Sequence, residues 1–212
     1  MTKKKFLDPN IKNKSKTVED KIQLFDYEGI KLPLPTEIEI SESGTCNRSC
    51  SFCPRSAEDF IDKKEFITNE LHEKLCKELQ KLNYKGTIRY SGFVEPMLDK
   101  NIYNLINMVK NFLPDSNVEM VTNGDPLNLK RLEKLFQSGL NRILISAYDG
   151  KEDADKLENL CKSAHLSSEQ YIVRHRYYSE EKDFGITLSN RSGLMENAEF
   201  KIKSLTEPLK NP

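Results

Sequence analysis

The sequence predicts an α/β fold, specifically a partial, open, TIM-like (β/α) barrel with parallel strands. Short runs of apolar or alternating residues, typical of strands, take turns with longer stretches in which leucines recur at helical spacing. Candidate ligand residues follow directly after the predicted strands, where parallel α/β folds place their chemistry. Because crossovers between parallel strands are right-handed, four such strand-helix units fit this topology most economically.

Composition limits the function classes. The chain has 212 residues, enough for one domain with a sizeable core, and 33 Lys+Arg balance 33 Asp+Glu. This balance gives no overall bias toward nucleic acid or an anionic membrane, so neither is expected as a partner. No apolar run approaches the roughly 20 residues that span a bilayer, and no signal peptide is apparent. Five cysteines, three of them clustered, indicate a reducing compartment and a cytoplasmic protein.

The first predicted strand is the alternating segment 36–42, which places Ile38 and Ile40 on one face. The first predicted helix follows Thr68 and spans residues 69–82. Its apolar residues recur at helical spacing: Leu71, Leu75, Leu79 and Leu82. These two elements form the first strand-helix unit, and the loop between them carries the three clustered cysteines.

Three further strand-helix units follow. The predicted strands span residues 86–92, 117–122 and 141–146, and the predicted helices 98–113, 128–138 and 153–164. A fifth strand is predicted over 171–178 and another over 184–189. The interval between these last two is too short for a crossover helix, so the final strand pairs antiparallel or follows a shortened connection.

The cysteine loop has the spacing C-x3-C-x2-C, formed by Cys46, Cys50 and Cys53. An ordinary 4Fe-4S cluster takes four cysteines, so three thiolates leave one iron without a protein ligand and open to another molecule. The alternative is a structural zinc site, which uses similar short cysteine pairs. Its fourth ligand would have to be one of five residues: Cys76, Cys161, His72, His165 or His175. Because both single cysteines lie on apolar helix faces, packing is the simpler role for them.

The segment Cys46-Asn-Arg-Ser-Cys50-Ser-Phe-Cys53 resembles the signature of the radical S-adenosylmethionine (SAM) superfamily, C-x3-C-x-aromatic-C, with Phe52 as the aromatic residue. The resemblance implies a 4Fe-4S cluster on the three cysteines, with SAM chelating the fourth iron. One electron from a reductant such as flavodoxin or ferredoxin then cleaves SAM to a 5'-deoxyadenosyl radical, which abstracts hydrogen from a substrate. Phe52 is expected near the adenine.

Four later residues match positions at which the family binds SAM. The segment Ser91-Gly-Phe-Val-Glu-Pro96 resembles the Gly-Gly-Glu motif, which implies that Gly92 and Glu95 receive the methionyl end. Asn123 belongs to a Thr-Asn-Gly segment and Ser146 to an ending similar to Ile-Ser-x-Asp-Gly, both typical of the SAM pocket. Val94 departs from the usual glycine and limits the loop geometry.

The fifth strand supplies a further pocket candidate, Arg174, which alternation places on the face opposite His175. In the related family an arginine on this strand contacts SAM or substrate. We identify no general acid or base beyond these residues, and therefore assign no catalytic side chain.

Three regions are expected: a leader over 1–33, the core domain over 34–193 and a tail over 194–212. Asn190-Arg-Ser-Gly193 resembles a segment of members with a SPASM or twitch extension, although no cysteine follows Cys161. Those relatives act on peptides, protein side chains, and sugars or cyclitols, and the substrate stays open. A degenerate radical SAM fold that binds a partner, and a zinc-stabilised binding module, are the alternatives to an enzyme.

Overall fold

A five-stranded parallel sheet is the centre of the computed structural model, which describes residues 22–50, 53–58 and 60–177. A separate antiparallel hairpin precedes it, formed by β1 (Leu24–Tyr27) and β2 (Ile30–Pro33). The strands of the parallel sheet are β3 (Glu37–Ile40), β4 (Thr87–Tyr90), β5 (Asn117–Thr122), β6 (Arg142–Ala147) and β7 (Tyr171–His175). They lie side by side in chain order, which confirms the α/β class and the parallel strands. Among the described residues the sheet is open, and no barrel closure is present.

Four helices connect the strands of this sheet: α1 (Asn69–Lys81), α2 (Ile102–Phe112), α3 (Leu129–Gln137) and α4 (Lys151–Ser163). Two begin at a side-chain cap, since Thr68 accepts a hydrogen bond from Leu71 N and Asn128 accepts one from Arg131 N. A 3-10 turn, Pro96–Leu98, separates the end of β4 from α2. The predicted elements over the described chain are therefore present, with ends displaced by a few residues. None of these helices combines the length and the apolar character needed to cross a membrane.

The two faces of the sheet differ in chemistry. Strand residues that face the helices are apolar and fully buried, as Ile88 of β4 and Met120 of β5 show. The intervening residues face the other way, where Arg89 pairs in register with Glu119 of the next strand. Arg89 donates to Glu37 Oε1 at 2.5 Å and to Glu119 Oε2 at 2.6 Å. We call this side of the sheet the polar face, and it leads directly to the strand ends that form the site.

The leucines at helical spacing do not all lie on the buried side of their helix. Leu71 of α1 is 57% exposed, and Leu129, the first residue of α3, is 39% exposed. In α1 the buried positions are instead His72, Cys76 and Leu79. His72 lies fully buried, and its Nε2 is 2.8 Å from Tyr90 Oη on β4. A polar residue therefore occupies a position on the packed face of α1 that the spacing of leucines did not reveal.

Some predictions fall outside the described residues or remain untested. The strand expected over 184–189 and the segment 190–193 lie outside them, as does Phe52. The hairpin of β1 and β2 lies within residues that the sequence analysis assigned to a leader. The limits of the three regions, 1–33, 34–193 and 194–212, remain predictions.

Candidate active site

The carboxyl ends of β3 to β6 surround one cavity. Parallel strands bring their carboxyl ends to the same edge, so loops that are distant in sequence meet there. The cavity is lined by Cys46, Arg48, Cys50, Cys53, Arg55, Gly92, Phe93, Val94, Glu95, Val121, Thr122, Asn123, Ser146 and Tyr148. Seven of the nine residues that the sequence analysis assigned to the metal or SAM site are in this set. The other two are Phe52 and Arg174.

Three thiols contribute to one wall of this cavity. Cys46, Cys50 and Cys53 are each half-buried and free of disulfides. Burial raises the pKa of Cys46 and Cys50 above the ordinary thiol value, and the charge of Cys53 acts in the same direction on both. Without a cation these two thiols therefore hold their protons more tightly, whereas a bound metal would take them as thiolates.

The donors that the cavity offers to a metal are thiols. The cavity offers three thiols, the number that leaves one iron of a 4Fe-4S cluster open. Among the described residues no group of three or more His, Cys, Asp or Glu side chains, the three thiols included, is gathered closely enough to hold a metal ion. The core holds the candidates for a fourth zinc ligand on α1 and α4, since His72 and Cys161 are both 0% exposed and Cys76 is 2% exposed. The packing role predicted for Cys76 and Cys161 is thus confirmed.

Glu95 lines the cavity and is only 1% exposed. Its Oε1 accepts hydrogen bonds from Met97 N at 3.0 Å and Thr122 Oγ1 at 2.7 Å, and its Oε2 accepts one from Asn123 N at 2.7 Å. Burial raises the pKa of the carboxyl group, while these donors act to lower it. Three of roughly four acceptor positions of the carboxylate are therefore used, and about one remains for a cation in the cavity.

Gly92 allows the loop before Glu95 to approach β3 closely. Its φ is +128°, a region that favours glycine, and an added Cβ would lie 2.1 Å from Ser41 Oγ. Ser41 Oγ is held there because it donates to Ser91 O at 2.9 Å. Any other residue at position 92 would displace Ser41, which lies at the end of β3, and disturb this wall of the cavity.

Asn123 links the cavity wall to the cysteine loop. Its Nδ2 donates to Asn47 Oδ1 at 2.8 Å and lies 3.8 Å from the sulfur of Cys46. Its Oδ1 accepts a hydrogen bond from Asp125 N at 3.0 Å. The amide is therefore oriented toward the first cysteine of the signature.

Ser146 and Arg174 stand in register on neighbouring strands β6 and β7. Ser146 lines the cavity, while Arg174 does not, although it is only 9% exposed. Arg174 Nε is buried without a hydrogen-bond partner in the described part of the chain. His175 lies on the opposite face, as predicted, where its Nδ1 is 2.8 Å from Tyr177 Oη and its Nε2 3.5 Å from Glu158 Oε1 of α4.

Two arginines and one tyrosine that no motif identifies also line the cavity: Arg48, Arg55 and Tyr148. Arg55 Nη1 donates to Gly44 O at 3.2 Å and Phe93 O at 3.1 Å, which fastens the turn after the cysteines to the loop that carries Glu95. The Cζ atom of Arg48 lies 5.5 Å from the ring centroid of Tyr148. The sequence held one usable signal, because Asp125 and Asp149 follow two parallel strands whose carboxyl ends lie at the same edge of the sheet.

Comparisons with known proteins agree with this arrangement. A family model described as the radical SAM superfamily matches residues 40–188. The S-adenosyl-L-methionine-dependent 2-deoxy-scyllo-inosamine dehydrogenase of Niallia circulans is 28% identical over 160 residues, which covers 76% of this chain and 60% of that protein. A protein named "Probable GTP 3',8-cyclase" from Thermococcus kodakarensis is 30% identical over 122 residues, 57% of this chain and 38% of that protein. The chain therefore spans less than two thirds of the length of these relatives.

Solved structures show the same similarity. The crystal structure of BtrN in complex with AdoMet and 2-DOIA superposes with a TM-score of 0.61 at 25% identity, covering 76% of this chain and 62% of that chain. A second BtrN structure, described as an open conformation, gives a TM-score of 0.52 at 25% identity over 66% of this chain and 56% of that chain.

Proposed function

This chain belongs to the radical SAM superfamily, and we propose that it binds a 4Fe-4S cluster through Cys46, Cys50 and Cys53 and cleaves SAM reductively. Members of this family are enzymes that use such a cluster together with SAM. When bound, the reduced cluster supplies the electron that cleaves SAM, so that a 5'-deoxyadenosyl radical abstracts hydrogen from the substrate. The observation that carries the proposal is that all three thiols line the same cavity as the buried Glu95.

The residues of this chain bind and orient SAM. Glu95 has about one acceptor position left, which we assign to the methionyl ammonium as a charge-assisted hydrogen bond. Gly92 lets the backbone approach that end of the molecule, and Asn123 and Ser146 offer amide and hydroxyl groups on the adjacent wall. We place Phe52 near the adenine because of its position in the signature. Arg174, with an unpartnered Nε, is assigned to a carboxylate of SAM or substrate.

For the substrate we favour the carbohydrate or cyclitol class over peptides. The relative from Niallia circulans is named for a cyclitol amine, and this name is what supports the choice. We further propose a cytoplasmic location and a flavodoxin or ferredoxin as the source of the electron.

Anaerobic reconstitution with iron, sulfide, dithionite and SAM tests this function. We expect a brown protein that releases 5'-deoxyadenosine, and a Cys50→Ala variant that binds little iron and releases none. Cys161→Ala is the matched control, since it removes a thiol that lies in the core instead of the cavity. It should retain both cluster and cleavage.

Three results would redirect the proposal. Zinc in place of iron, with no 5'-deoxyadenosine, would identify the cysteine loop as a structural metal site. A cluster that forms without SAM cleavage would indicate a degenerate fold that binds a partner, for which Val94 in the cavity wall is the motivating feature. Equal iron content in Cys50→Ala and wild type would refute the assignment of the ligands.

A further inference from the structure

Arg48, between the first two cysteines of the signature, bridges two loops that are far away in sequence. Its Nε and Nη2 donate to the two carboxylate oxygens of Asp125 at 2.6 and 2.5 Å. Its Nη1 and Nη2 donate to the two oxygens of Asp149 at 2.9 and 2.6 Å. One guanidinium group thus makes two bidentate contacts, the geometry for which its planar fork is suited.

The two carboxylates come from different parts of the cavity wall. Asp125 lies 77 residues after Arg48, in the turn after β5 that also holds Asn123. Asp149 lies 101 residues after Arg48, after β6 and Ser146. Arg48 therefore connects the cysteine loop with both segments assigned to SAM.

Neighbouring contacts make this connection a network. Asn47 Nδ2 donates to Asp125 Oδ2 at 2.7 Å, and Asn47 Oδ1 accepts from Asn123. The backbone N of Arg48 lies 3.4 Å from the sulfur of Cys46 and donates to it. The guanidinium group of Arg48 is also packed over the ring of Tyr148.

An isolated ion pair at this exposure would contribute little, since the side chains of Arg48, Asp125 and Asp149 are 19%, 34% and 59% exposed. The arrangement differs from an isolated pair because one ordered cation satisfies four carboxylate oxygens. Fixing Arg48 once serves both contacts, so the loss of side-chain freedom is shared between them.

We propose that Arg48 is a positioning residue, which holds the cysteine loop against the ends of β5 and β6 so that Cys46 and Cys50 face the cavity before the cluster binds. This inference rests on the proposed function, because it assigns the loop to a cluster. Arg48 would also couple binding of the cluster to binding of SAM. A change in the cysteine loop would act through Asp125 and Asp149 on the segments that carry Asn123 and Ser146.

The test measures how firmly the reconstituted protein holds its iron. After reconstitution, iron release to a chelator is followed in wild type, Arg48→Ala and Arg48→Lys. Residues behind metal ligands typically change metal affinity about 10- to 100-fold, so we expect Arg48→Ala to release iron roughly tenfold faster. The rate of iron release from Arg48→Lys should lie between those of wild type and Arg48→Ala. The lysine ammonium group can contact one carboxylate but cannot make the bidentate contacts of a guanidinium group.

Two further measurements separate positioning from general stability. The EPR signal of the reduced cluster should change on addition of SAM in wild type and change less in Arg48→Ala. Arg142→Lys is the matched control, since Arg142 pairs with Glu119 at 3.4 Å on the polar face and should release iron at the wild-type rate. The double variant Asp125→Asn/Asp149→Asn should reproduce Arg48→Ala, and adding Arg48→Ala to it should have no further effect.

The outcomes are distinct. A wild-type rate of iron release in Arg48→Ala overturns the inference and leaves the proposed function intact. If Arg48→Ala fails to fold, iron release is measured in the double variant Asp125→Asn/Asp149→Asn instead. Iron release at the wild-type rate in that variant also overturns the inference. A wild-type protein that binds no cluster overturns the proposed function and this inference together.

Discussion

At the scale of single residues, the carboxylate of Glu95 has a structural role, and we propose that it also binds SAM. Its three donors come from the turn after Glu95 and from the end of β5 with the residue that follows it, so the side chain orders the cavity wall before any ligand is present. The fourth acceptor position is the one that we assign to SAM. A substitution that removes the charge therefore changes both the stability of the loop and the affinity for SAM.

We predict that Glu95→Gln destabilises the protein by about 1–3 kcal/mol and weakens SAM binding. The amide NH2 of Gln would face N–H or O–H donors, leaving buried groups unpaired. Thr122→Val removes one donor while the charge stays, so it should lose some stability but keep most of the SAM affinity. Thermal unfolding and equilibrium SAM binding to the reconstituted protein measure the two effects. Equal SAM affinity in Glu95→Gln and wild type would contradict the assignment.

Glu42 is a second buried carboxyl group, only 1% exposed, after β3. Its Oε1 accepts from Ser43 Oγ at 3.3 Å, and its Oε2 has no partner among the described residues. The pKa of Glu42 is raised from 4.5 to about 7, mainly because the carboxyl group is buried. The negative charges of Asp99 and Glu95 raise it further. The folded protein therefore binds this proton more tightly than the unfolded chain.

The sign of the resulting pH dependence follows from linkage. A raised pKa means that the contribution of Glu42 to stability is fully present below pH 4.5 and is lost as the pH rises through about 7. Glu42→Gln stays neutral, so its stability relative to wild type should increase by about 2 kcal/mol between pH 5 and pH 8. Urea unfolding at both pH values measures the difference. Glu73→Gln, on the exposed side of α1, is the control, and parallel behaviour of the two variants would contradict the prediction.

At the scale of elements, the turn between β5 and α3 depends on close packing against α4. Gly124 has a φ of +82°, and an added Cβ would lie 2.8 Å from Ile145 Cγ2 and 2.9 Å from Leu157 Cδ2. Gly150, before α4, also has a positive φ of +119°, but an added Cβ there would meet no atom within 4 Å. The two glycines therefore separate backbone strain from a steric clash.

We predict that Gly124→Ala destabilises the protein by about 2–4 kcal/mol and Gly150→Ala by about 1–2 kcal/mol. Both substitutions strain the backbone, but only the first also forces apolar side chains of β6 and α4 to move. Denaturant unfolding of the two variants gives the comparison directly. If Gly150→Ala proved as costly as Gly124→Ala, backbone strain alone would account for the loss.

At the scale of the whole molecule, the polar face of the sheet contains a buried ionic network. Arg89 is 1% exposed and bonds two carboxylates, Glu37 on β3 and Glu119 on β5, while Arg142 on β6 approaches Glu119 at 3.4 Å. Four neighbouring strands are thus joined by charges below the cavity. Burial of these charges is tolerated because each is paired.

Removal of the central cation should therefore destabilise the whole sheet. We predict that Arg89→Met lowers the free energy of unfolding by about 3–5 kcal/mol, because it leaves two carboxylates without that cation in a buried place. Glu37→Gln should lower it by only about 1 kcal/mol, since Glu37 is 17% exposed and water screens part of the loss. Denaturant titration at pH 7 measures the free energy of unfolding of both variants. A loss below 1 kcal/mol in Arg89→Met would show that the network is solvated and weak.

Much of the architecture was predictable because its signals are local. The residue types and short spacings along β5 and its neighbours identify strands, and the spacing Cys46, Cys50 and Cys53 identifies a site without any tertiary information. The family motifs, in turn, point to Glu95 and Asn123, both of which line the same cavity. Local sequence encodes these features because a strand, a helix turn or a metal loop is defined by residues a few positions apart.

Other features were decided by the tertiary structure alone. The exposure of Leu71 depends on how α1 lies against the sheet, because helical spacing defines a face but does not say which part of it is covered. The contacts of Arg48 with Asp125 and Asp149 span 77 and 101 residues, and arise only because parallel strands in chain order bring those loops to one edge. The residues along the chain identify the cysteine loop as a candidate site and give the order of the elements, because both are local signals. Only the folded chain brings Asp125 and Asp149 against Arg48, because that contact depends on how the strands pack.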